Sequence, residues 1–161
     1  MANPLKMLKL KPTGFQFIHE IKIDAPPAKV WKAVLDVGTW FRFDQVPDFP
    51  EMKLDPRIGG LLTSSNGDGS VQMYSGMVTH IEREKLLRIN GPMGASHLPL
   101  MSAMIWELTP RDGGKGTTMR FCHRAFGYIT ADLKKNYQGG WKQLWPQLKG
   151  LAEGKSSRKR K

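Results

Sequence analysis

The sequence predicts an α+β domain. A curved antiparallel sheet of about six to seven strands wraps one long C-terminal helix, and a short helix follows the first strand. Three observations predict this. Apolar residues alternate with period two in successive segments between Gly14 and Phe126. Short turn signals separate those segments, so neighbouring strands pair as hairpins in a meander. After Ala131 the apolar period changes to three or four residues. A helix with one apolar face must bury it, and the sheet is the partner at hand.

Each element follows in order. In residues 14–24, Phe15, Phe17, His19, Ile21 and Ile23 alternate with Gln16, Ile18, Glu20 and Lys22, the pattern of a half-buried strand. Ala25-Pro26-Pro27 ends it, and proline suits the first turn of a helix. That helix, expected over 28–36, places Val30, Trp31, Val34 and Leu35 on one side, with Gly38 as its stop. Trp40, Phe41 and Phe43 form a short aromatic stretch. Residues 44–56 are rich in proline and acids and read as a loop with an edge strand near 52–54. Strands are expected at 61–65 and 71–82, joined by the turn Asn66-Gly67-Asp68-Gly69. Gly76 within the second of them signals a bulge or bend. Residues 86–90 form the next strand, and 91–99 a Gly/Pro loop. A strand over 100–109 is expected to stop at Pro110. Asp112-Gly113-Gly114 turns the chain into the last strand, 117–126, where His123 shares the inward face with Met119 and Phe121 while Cys122 points outward. The final helix aligns Leu133, Tyr137, Trp141, Leu144, Leu148 and Leu151, and is expected to bend near Gly139-Gly140 or Pro146.

Length and composition bound the function classes. A chain of 161 residues suits one domain. No apolar run reaches the roughly 18 residues that span a bilayer. One cysteine excludes an internal disulfide and, with no export signal, points to a cytoplasmic setting. The net charge of +11 is concentrated at the ends. Residues 1–13 read as a flexible leader, 14–154 as the domain, and 155–161 as a disordered basic tail. Such a tail makes at most weak, salt-sensitive, non-specific nucleic-acid contacts.

The order and spacing of several pieces resemble a known superfamily. They are Ile21-Lys22-Ile23-Asp24-Ala25-Pro26-Pro27 with Val30-Trp31, then Ile58-Gly59-Gly60, then residues 76–82 (GMVTHIE). Trp106-Glu107-Leu108-Thr109-Pro110 before Gly116-Thr117-Thr118-Met119, and Gly140-Trp141 with Leu144 and Leu148, complete the set. The chain resembles the START-like (SRPBCC) helix-grip superfamily, which includes the birch-pollen-allergen-like proteins. Within it, the chain is most similar to the homologues of the chaperone ATPase activator and to polyketide-cyclase-like proteins. The resemblance implies an apolar cavity between sheet and long helix, used by family members for lipids, polyketides or other apolar small molecules. It implies no cofactor and assigns no functional residue, because one fold hosts many functions.

The residues themselves supply candidates for the lining of such a cavity: Trp40, Phe43, Tyr74, Met104, Trp106, Tyr137 and Trp141, set against the alternative that they simply fill a core. His123, on the inward face, is the best candidate for a polar contact to ligand or for acid–base work, against the alternative of a satisfied core histidine. No metal site is expected, because the four histidines are scattered and adjacent Cys122 and His123 point to opposite faces. No Gly-x-Ser-x-Gly elbow or P-loop occurs. The sequence therefore favours binding of an apolar small molecule. The alternatives are a cyclase- or hydrolase-type enzyme in the same cavity, or a chaperone-associated module that binds a protein partner.

Overall fold

The computed structural model describes residues 11–155. Most of the expected leader and tail lies outside the described residues. The elements are β1 (Thr13–Ile23), α1 (Pro27–Leu35), α2 (Val37–Trp40), β2 (Glu51–Leu54), β3 (Leu61–Ser65), β4 (Gln72–Glu82), β5 (Leu86–Gly91), β6 (Leu100–Arg111), β7 (Gly116–Gly127) and α3 (Ala131–Ala152). All seven strands form one antiparallel sheet in the order β1-β7-β6-β5-β4-β3-β2. Consecutive strands are neighbours from β2 to β7, the meander that short turns dictate. Only β1 pairs out of sequence, against β7.

The sheet is two-faced because its strands alternate. In β7, Met119, Phe121 and His123 are fully buried, and their β6 partners Leu108, Trp106 and Met104 are buried with them. The helices cover this concave face. Helix α1 adds Val30, Trp31 and Val34, and α3 adds Trp141, Leu144, Trp145 and Leu148. Burying one such side chain contributes about 1.5–3 kcal/mol, so this cluster carries the stability. Glu153, just past α3, accepts a hydrogen bond from the Asp24 backbone N–H at 2.9 Å, and Thr117 donates to the Ala25 carbonyl at 2.8 Å. These two bonds lock the corner between β1 and α1.

Four local expectations need correction. The first helix spans Pro27–Leu35, one residue from the expected 28–36 at each end, and Gly38 is not its stop, because Asp36 already leaves helical geometry at φ −85°, ψ 57°. Gly38 sits inside α2, where a Cβ would stand only 3.1 Å from the Met52 carbonyl oxygen. Its role is close approach to β2, not helix termination. Pro110 does not stop β6, which runs on to Arg111. Leu108 is the last β6 residue to donate toward the β5 side, to the Lys85 carbonyl at 2.8 Å. Two residues later Pro110 faces that same side beyond the end of β5, where a missing N–H costs nothing. Cys122 lies on the outer face as expected but is buried, flanked in register by Ile18 and Ile105. Finally, α3 runs unbroken through Gly139, Gly140 and Pro146. Pro146 is on its exposed side, where the carbonyl freed by the missing N–H meets solvent.

Candidate functional site

The concave face is not filled along its whole length. A recess of about 320 Å³ opens between the N-terminal half of α3 and the strands β2, β3 and β4. Three parts of the chain frame it. Phe41, Phe43, Phe49 and Pro50 come from the segment after α2, which Pro47 and Pro50 keep out of regular structure. Met52, Ser64, Met73 and Ser75 come from the strands. Leu133, Asn136, Tyr137, Gly140, Trp141 and Leu144 come from α3. The aromatic wall is mutually supported, with Phe43 edge-on to Phe49 at 5.1 Å and Phe41 edge-on to Trp141 at 5.6 Å.

The fourth side is the loop after β5, and it is pinned. Met93 lines the recess with φ +44°, a conformation that costs a non-glycine residue energy. Two contacts hold it there. Its N–H donates to the Ser75 carbonyl at 2.9 Å, and the Tyr137 hydroxyl donates to its carbonyl at 2.9 Å. Burial pushes the Tyr137 phenol up to about 12, so it stays a donor. Strand β4 is irregular here. Its register against β3 shifts between Leu62 and Thr63, which leaves Ser75 unpaired and directed at the concave side.

Behind the recess lies a buried hydrogen-bond chain. The Trp141 indole N–H donates to His123 Nδ1 at 3.0 Å, and His123 Nε2 stands 2.9 Å from Ser102 Oγ. Indole is only a donor, so Nδ1 carries no proton. The neutral ring is therefore the Nε2–H tautomer and donates to Ser102. Burial lowers the His123 pKa to about 4, so the ring is uncharged at neutral pH. Both nitrogens are used by protein partners, which leaves neither for a substrate proton.

The structure brings together three of the residues proposed from sequence. Phe43, Tyr137 and Trp141 line the recess. Trp40, Met104, Trp106 and His123 are packed in the core beside or behind it and do not line it. Tyr74 is 42% exposed, because alternation in β4 turns Met73 and Ser75 inward and Tyr74 to the outer face. Sequence reasoning missed Phe41, Phe49, Met52, Met73, Met93, Ser64 and Ser75. Leu62-x-Ser64 carries a usable signal, since a serine two residues from a buried leucine shares its face.

Among the described residues, no Asp, Glu, Lys, Arg or His lines the recess. Among the described residues no three His, Cys, Asp or Glu side chains cluster as a metal site would require. No described helix is long and apolar enough to cross a membrane. The arrangement can therefore solvate an apolar body, and among the described residues it offers no charged group and no free base.

Comparison with known proteins agrees with this architecture. Residues 24–153 match the sequence profile of the family described as Activator of Hsp90 ATPase homolog 1-like protein. No curated protein matches the sequence. Among solved structures, a protein from Chromobacterium violaceum aligns over 86% of this chain and 96% of its own at 20% identity, with a TM-score of 0.64. Ara h 8.0201 aligns over 88% and 99% at 14% identity, with a TM-score of 0.64. CalU16 from Micromonospora echinospora aligns over 93% and 86% at 22% identity, with a TM-score of 0.59. These likenesses establish the START-like helix-grip fold.

Proposed function

The chain belongs to the Activator of Hsp90 ATPase homolog 1-like family, and on that footing we propose that it binds an apolar small molecule in the recess beneath α3. One observation carries this reading: a recess lined largely by aromatic and methionine side chains, with no charged residue among the described ones, opens beside a core of fully buried side chains. Methionine and aromatic side chains adapt to irregular apolar surfaces. Affinity would come mainly from apolar area removed from water, at about 25 cal/mol per Å². The size suits a compact ligand, at the lower end of known small-molecule sites, which span roughly 300–1,000 Å³.

The enzyme reading has less support. Acid–base catalysis needs a group with a free lone pair or proton facing the substrate. His123 is the best sequence candidate, and its nitrogens are engaged by Trp141 and Ser102.

Native mass spectrometry of the purified protein against its denatured mass tests the binding reading. A retained small molecule, lost on denaturation, is expected. Gly140→Leu supplies the control. A Cβ at Gly140 would lie 3.4 Å from the Phe43 ring, so the larger side chain fills the recess. A folded Gly140→Leu protein that still retains the same molecule would place binding elsewhere and sink the proposal.

A further inference from the structure

Ser64 stands out among the residues that line the recess. It projects from the middle strand of the β2–β3–β4 group, on the same face as buried Leu62. The residue is only 3% exposed. Its hydroxyl oxygen is buried and has no hydrogen-bond partner among the described residues. An unpaired buried hydroxyl costs free energy that an alanine methyl at the same place would not. Ser75, the bulged residue of the adjacent strand, lines the same floor and is 2% exposed.

The surroundings limit what can satisfy that hydroxyl. Among the described residues the recess is lined by no formal charge, and its other walls are mainly rings, methionines and leucines. A carboxylate, phosphate or ammonium would lose its hydration there with no counter-charge. A hydroxyl or carbonyl oxygen would lose little and gain one bond. The mouth differs, because Asn136 lines it from the exposed side of α3.

We propose that Ser64 is the polar anchor of the recess, selecting an uncharged ligand with an apolar body and a hydroxyl or carbonyl group at its inner end. This rests on the binding reading above and adds the class of ligand to it. Binding then exchanges an unpaired protein hydroxyl for a paired one. A hydrocarbon of the same shape forgoes that gain, and its carboxylate analogue incurs a desolvation cost.

Three probes of one shape test the proposal: naphthalene, 2-naphthol and 2-naphthoate, titrated at neutral pH. Backbone amide shifts at Gly94 and Gly140 report occupancy of the recess itself. We expect 2-naphthol to bind about three- to tenfold more tightly than naphthalene, the range one net hydrogen bond supplies, and 2-naphthoate to bind most weakly. Ser64→Ala should erase the preference for naphthol and leave naphthalene affinity unchanged. It should also melt no lower than the parent without ligand, which shows that the variant is folded. Ser75→Ala should keep most of the preference. Equal affinity for naphthol and naphthalene in the parent, or a preference that survives Ser64→Ala, overturns the anchor while the recess reading stands. Tighter binding of naphthoate overturns the neutral class. Failure of all three probes to shift Gly94 and Gly140 overturns the recess reading and the anchor with it.

Discussion

The two halves of α3 meet the same sheet in different ways. From Trp141 to Ala152 the helix is a core element. Trp141, Leu144, Trp145, Leu148 and Ala152 are buried, and Trp141 and Trp145 stack at 5.0 Å against Phe121. From Ala131 to Gly140 no residue is fully buried. There the helix presents Asn136 and Gly140 beside Leu133 and Tyr137, and the strands opposite present Ser64 and Ser75. Small and polar residues on both sides of one gap cannot close it. The difference teaches that the recess arises from residue size at facing positions together with the bulge that turns Ser75 onto the concave face.

The comparison yields predictions of decreasing size. Trp141→Ala should destabilise most, by about 3–5 kcal/mol in urea unfolding, since it empties a buried aromatic site and strips His123 Nδ1 of its donor. A loss below 1 kcal/mol would show that the closed half is less tightly filled than described. His123 supplies a pH test. Its folded pKa, about 4, lies below the ordinary 6.5, so the unfolded state takes up the proton first. Stability is full above pH 6.5 and falls as pH drops toward 4, by up to about 3 kcal/mol from this group. His123→Gln should flatten that slope; an unchanged slope would mean another group is responsible.

The close approach of β4 and β5 should give an intermediate effect. A Cβ on Gly91 would lie 2.4 Å from the Gly76 Cα, so Gly91→Ala should cost about 1–3 kcal/mol, read from the shift in urea midpoint. The open half should respond least. Tyr137→Phe loses the hydroxyl that holds the Met93 carbonyl. A stability loss of about 1 kcal/mol is expected, with faster amide exchange at Ala95 and Leu98. Slow exchange there would show that the Met93–Ser75 bond alone pins the loop.

Period and turn chemistry made the fold legible from sequence. Inward alternation in β1 and β7 and the three-to-four spacing in α3 each reflect one buried face. The filled half of the site region followed from the same logic, since large apolar residues at inward positions end up packed. The recess was less legible, because it depends on which inward positions are small and on what faces them across space. Trp145 shows the limit in the closed half. It adjoins Leu144 on a helix whose buried stripe is wide enough to take both. Tyr74 shows it in the open half, where aromatic character suggested lining but the strand's alternation turns the ring outward.

The pairing of β1 with β7 has a consequence for how the chain acquires its shape. Partners run from Thr13 with Gly127 to Ile23 with Thr117, so every bond of this ladder closes a loop of about a hundred residues. Non-local closure of that kind slows folding. During synthesis, β1 emerges first and waits, with its apolar face unpartnered, until nearly the whole domain has left the ribosome. The first strand made must wait for the last one before it has a partner in the sheet, and through that interval its unpaired edge and apolar face are open to aggregation.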